Sequence, residues 1–67
     1  MNKTLLCDRI TAAGLTHADV AKALGIGKNT FSAYLNSEKS FRLDQVNIMC
    51  ELLGIYDDTA KVKIFLL

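Results

Sequence analysis

The stretch Thr16-His-Ala-Asp-Val-Ala-Lys-Ala-Leu-Gly-Ile-Gly-Lys-Asn-Thr-Phe-Ser-Ala-Tyr-Leu-Asn36 holds two helical patterns with only three residues between them. In the first pattern Val20, Ala21 and Leu24 share one face. Thr16 stands where its hydroxyl accepts an amide hydrogen of the first turn, and Asp19 where that turn's positive end favours a carboxylate. Leu15 before the cap and Val20 after it suit an apolar staple. In the second pattern, Lys28 to Asn36, Phe31 and Leu35 fall four apart and point the same way. Gly25-Ile26-Gly27 is too short a link for anything but two helices meeting at a steep angle. Gly25 supplies the positive φ of that turn, Ile26 fills the wedge between the helices, and Ala21 is small where they cross.

Outward from this pair, further helices are predicted on both sides. Lys3 to Ala13 places Leu6, Ile10 and Ala13 on one buried stripe before Gly14. After a polar loop, Ser37 to Ser40, Phe41 anchors a fourth helix from Leu43 to Leu53. Its inner face is Leu43, Val46, Met49 or Cys50, and Leu53. Gly54 closes it, as Gly14 and Gly25 close the helices before them. In the last stretch, Tyr56 to Leu67, Asp57 or Asp58 can cap a short helix with an apolar end. That reading is preferred to the strand that Val62-Lys-Ile-Phe-Leu-Leu also spells. The expectation is an all-α, compact bundle of four to five short helices forming a single domain over residues 1–67, with the helix-turn-helix at 16–36.

Composition excludes several classes. Sixty-seven residues, 51% apolar and 22% charged, are ordinary for a globular chain and too apolar for a disordered tail. Two cysteines cannot make the multi-bridge framework of small secreted domains. Asp8 and Arg9 interrupt the only early apolar stretch, and no run approaches a membrane span, so a reduced, cytoplasmic chain is expected. Cys7, His17 and Cys50 lack metal-ligand spacing and offer no evident nucleophile–base pair. Gly25 to Thr30 misses the phosphate-loop pattern, having Lys22 and Asn29 where Gly and Ser or Thr are needed. No enzyme, cofactor, metal or small-molecule ligand is expected. The net charge of +1 is low for a nucleic-acid binder. It is unevenly spread: six Lys or Arg against three acids in residues 1–42, and two against four in residues 43–67.

Helix, short glycine-containing turn, helix is the geometry of a DNA-reading helix-turn-helix. Residues Leu15 to Ser32, continued by Tyr34 to Val46 and by Leu52-Leu53-Gly54-Ile55, resemble the Cro and cI repressor family, also called the XRE family. The resemblance covers residues 4–55 and is greatest to small phage-encoded, Cro-like regulators. It implies a bundle of four or five helices that binds double-stranded operator DNA, usually as a homodimer, and represses transcription. Two positions depart from the family. Gly27 stands where Ser or Thr usually caps the reading helix, and Ala33 replaces a long polar residue, leaving a thymine methyl as its only direct readout.

With Phe31 and Leu35 inward, Asn29, Ser32, Ala33 and Asn36 turn outward, and Lys28 leads the helix into the groove. Lys28 suits guanine acceptors and Asn29 a bidentate pair with adenine. Base contacts are therefore assigned to Lys28, Asn29, Ser32 and Ala33. Backbone contacts are assigned to Thr16, His17, Thr30, Tyr34, Asn36, Lys39, Ser40 and Arg42. Tyr34 has an alternative place over the edge of the core, His17 as a solvent-exposed first-turn residue, and Asn36 as a helix-end residue that tolerates a left-handed conformation. Ile64 to Leu67 form either a dimer interface or the closure of the chain's own core. The rival function is a helix-turn-helix-fold protein-interaction module (an antirepressor, antitoxin or accessory subunit) with little DNA affinity.

Overall fold

Cap chemistry sets the helix starts in the computed structural model, which describes residues 1–37 and 40–66. Helices α1 (Lys3–Ala12), α2 (His17–Leu24), α3 (Lys28–Asn36), α4 (Leu43–Leu53) and α5 (Asp58–Lys61) follow one another, and a π-helical turn, Val62–Leu66, continues α5. The described residues contain no strand, so the all-α expectation holds and the final segment is helical. Asn2 Oδ1 accepts from Leu5 N and caps α1. Thr16 and Asp19 form a reciprocal box on α2: Asp19 N donates to Thr16 Oγ1 at 3.2 Å, and Thr16 N donates to Asp19 Oδ2 at 2.8 Å. Asp57, rather than Asp58, caps α5 through Oδ2. Only Gly27, at the start of α3, has no side chain to offer.

Gly25 ends α2 at φ 72°. Its amide donates to Lys22 O and that of Ile26 to Ala21 O, the paired bonds of a left-handed C-terminal cap. Leu15 and Ile55 donate likewise, to Ile10 and Cys50, after Gly14 and Gly54. Each glycine is followed by an apolar residue that folds back on the core: Leu15, Ile26 and Ile55. The Gly-apolar pair thus both stops a helix and pins the chain leaving it.

The core forms where the inner faces of the helices converge. Leu6 and Ile10 come from α1, Val20 and Ala21 from α2, Phe31 and Leu35 from α3, and Met49, Cys50 and Leu53 from α4. Phe31, at 0% exposure, is its centre; its ring meets His17 edge-on and lies beside Phe41. Burying such a side chain is worth about 2–3 kcal/mol from transfer alone. Helix α2 packs against both α3 and α4, which explains the small Ala21, 1% exposed, in its inner face.

Two expected core positions are overturned. Ala13 is exposed, because α1 stops at Ala12 and the chain turns out through Gly14; Leu15 takes up the inward role. Leu43, as the first residue of α4, is 76% exposed, and Gln45 is buried instead. Gln45 tolerates burial because its Oε1 accepts from Arg42 N at 2.9 Å, supplying a partner to an amide that α4 leaves free. At the C-terminal end, Ile64 is buried and its carbonyl accepts from Asn2 N at 2.6 Å, while Phe65 is half-buried against the core. Those two residues close the molecule on itself. Leu66 is 76% exposed; Leu67 lies outside the described residues.

Candidate nucleic-acid interface

The buried pair Phe31 and Leu35 decides how α3 is presented. With these two residues in the core, Lys28, Asn29, Thr30, Ala33 and Asn36 are all exposed. Ser32 and Tyr34 are half-buried at the two edges. The outer surface of α3 is therefore a polar strip interrupted by one methyl group, that of Ala33. Gly27 leaves the first-turn amides of α3 without a side-chain acceptor, and Lys28 brings an exposed cation to the same end.

Several assigned residues have partners that narrow their roles. Tyr34 stacks on Phe41 with centroids 5.1 Å apart and rings inclined by 28°, the alternative place foreseen for it over the core edge. Asn36 accepts from Lys3 Nζ through Oδ1, so the end of α3 carries a lysine from α1 beside it. Asn36 does not take a left-handed conformation; no residue other than glycine among those described has positive φ. Thr16 is exposed, and its oxygen accepts the Asp19 amide while its hydrogen stays free to donate. The backbone and side chain of Thr16 together hold the Asp19 carboxyl below its ordinary range, with a smaller pull from Lys22.

His17 is half-buried between Phe31 and Cys7. Its Nε2 lies 3.8 Å from Cys7 Sγ, leaving Nδ1 as the nitrogen available to a phosphate. A thiol and an imidazole ten residues apart in sequence thus meet where α1 passes the start of α2, a proximity their spacing did not announce. Ser40 and Arg42 are exposed beyond α3. The Arg42 guanidinium leans on Asp44 at 3.4 Å, a solvent-exposed pair worth little and easily exchanged for another anion. Lys39 lies outside the described residues.

Sequence reasoning missed Lys3 and Gln45. Lys3 joins the end of α3 across 33 residues of chain, a contact with no local pattern to announce it. Gln45 had a legible signal, its place three residues after the residue that precedes α4.

A helix-turn-helix domain family model matches residues 9–61, most of the chain and all of the elements just described except the start of α1 and the final turn. The chain belongs to the helix-turn-helix domain family. That membership suggests a DNA-binding regulator. No curated protein and no solved structure matches the chain. No helix among the described residues is long and apolar enough to cross a membrane.

Proposed function

We propose that this protein is a sequence-specific transcriptional regulator, a Cro-like repressor in kind, that binds operator DNA through residues 28–36. The observation that carries the reading is the exposed polar strip of α3, held at a fixed angle by a three-residue turn and a buried Phe31. Lys28 and Asn29 read bases at the leading end, Ala33 meets a thymine methyl, and Ser32 reads from the edge of the strip. Thr16, Thr30, Asn36, Ser40 and Arg42 grip the backbone, with Lys39 beside them in the sequence. Tyr34 and His17 have a supporting share, since each ring is engaged inside the molecule. On this reading the chain is a cytoplasmic binding module without cofactor, metal or catalysis.

Two copies are required. The molecule is 29 Å in its longest dimension, and successive turns of one DNA face lie about 34 Å apart. One copy therefore reaches one half-site, and one short helix reads too few bases to find an operator. Leu43 and Leu66, both 76% exposed, line one groove with Phe41, Val46 and Phe65 and supply the apolar surface for a homodimer. A protein-interaction module would need a large apolar anchor on the outer face of α3, and with the Tyr34 ring stacked on Phe41 that face offers none.

Selection of bound DNA from a random pool, followed by Asn29→Ala, tests the proposal. The substitution is expected to cost about 1–3 kcal/mol on the selected site and to blur preference at one base pair. An equal loss on random DNA would refute the assigned role.

A further inference from the structure

The two cysteines occupy different surroundings. Cys50 is 4% exposed in the core, and burial pushes its thiol up, with a weaker opposing influence from Lys61. Cys7 is half-buried on the edge of α1, and its Sγ is 3.8 Å from His17 Nε2, hydrogen-bond range for sulfur. The imidazole is not free to drift: it starts α2, just after the capped Thr16, and its ring sits edge-on against Phe31 at 5.6 Å. In the tautomer with its proton on Nδ1, His17 accepts the thiol hydrogen at Nε2. The thiol and imidazole thus stand within hydrogen-bond range of each other at the rim of the surface assigned to DNA, which His17 shares and Cys7 does not.

We propose that Cys7 is an oxidation site, at which a hydroperoxide converts the thiol to a sulfenic acid with His17 as the proton carrier. The sulfur attacks the distal peroxide oxygen, so that the S–O bond forms as the O–O bond breaks. The thiol proton passes to Nε2, and the resulting imidazolium returns it to the leaving oxygen. With hydrogen peroxide, thiol and peroxide become sulfenic acid and water, and His17 ends as it began. The chemistry itself does not depend on whether the protein binds DNA.

The test treats the full chain with hydrogen peroxide in the presence of dimedone, which traps sulfenic acids. Mass spectrometry follows each cysteine at neutral pH. Cys7 is expected to be labelled and Cys50 spared. H17F keeps a ring for Phe31 and removes the nitrogen; it should slow Cys7 labelling about tenfold or more. Equal Cys7 rates for wild type and H17F, or labelling of Cys50 in step with Cys7, overturn the proposal. Circular dichroism checks that H17F folds; should it not, H17Q, whose amide cannot take up the thiol proton, is held to the same criterion.

Discussion

The turn of the helix-turn-helix contains two glycines whose replacement should act in opposite directions. Gly25 sits at φ 72°, and an added Cβ would meet nothing within 4 Å. Its cost on substitution is therefore backbone strain alone. An L-residue in that conformation loses about 1–2 kcal/mol, and the stiffer unfolded chain of Gly25→Ala returns about 0.4–1. The net expectation is a loss near 1 kcal/mol. Gly27 has φ −75° and ψ 155°, a conformation open to any L-residue, and a Cβ there would stand 3.9 Å from Thr30 Oγ1, an ordinary contact. Gly27→Ser gains the same unfolded-state term, about 0.4–1 kcal/mol, and a few tenths more from a hydroxyl that accepts a first-turn amide. Its net is a gain near 1 kcal/mol.

A domain of this size has a total stability of roughly 3–10 kcal/mol, so either change is a measurable fraction of the whole. Melting followed by circular dichroism should show Gly25→Ala falling and Gly27→Ser rising by about 4–8 °C each. Urea midpoints should move the same way with an unchanged slope. Two shifts of the same sign would refute the reasoning, because both positions have room for a Cβ and the few tenths from the serine hydroxyl are too small to set the sign, which leaves it to the backbone conformation.

The Asp19 carboxyl, held below its ordinary range by Thr16, supports the fold above the unfolded value near pH 4 and ceases to do so as pH falls through its lower folded value. The difference in melting temperature between wild type and Asp19→Ala should therefore be present at neutral pH and shrink in acid; a constant difference would show that the carboxylate charge is not what the cap uses. Leu43→Glu combined with Leu66→Glu should leave the melting temperature of the protomer nearly unchanged, since both side chains are exposed, while lowering the mass seen by sedimentation equilibrium. An unchanged mass for a dimeric protein would move the interface elsewhere.

Much of this fold was legible because its signals are local. Thr16 as the cap of α2, Phe31 with Leu35, and the glycines that end α1, α2 and α4 act within four or five residues of chain, and these formed as read; the answering bond from Thr16 N to Asp19 and the fold-back of Ile55 are additions of the structure. The readings that failed did so at element edges. Ala13 and Leu43 fit an apolar period, yet each stands at a helix end, where the chain turns away and the period no longer fixes direction. Contacts between helices carried no local signal: Lys3 with Asn36, Cys7 with His17 and Tyr34 with Phe41 depend on packing. The strip on α3 was foreseen because helix periodicity places it opposite the core; Ser32 lies nearer the core than that reading allowed, and Tyr34 takes the core-edge place read as its alternative.

The uneven charge gives the two proposed steps opposite demands. Residues 1–42, which contain α2 and α3, hold an excess of three positive charges, and residues 43–67 an excess of two negative ones. Counterion release from DNA scales with the cations that meet phosphates, so a small excess means weak attachment to arbitrary sequence and leaves discrimination to the face of α3. The proposed pairing of two copies through the groove at Leu43 and Leu66 brings together halves that each carry an excess of two negative charges, although the charged residue lining the groove itself is Lys61. Salt screens the repulsion between those halves over about 10 Å while it weakens phosphate contacts. On that proposal the attraction comes from apolar contact at Leu43 and Leu66, the most exposed of a set of large apolar side chains that also includes Leu5, Ile48, Leu52, Tyr56 and Val62.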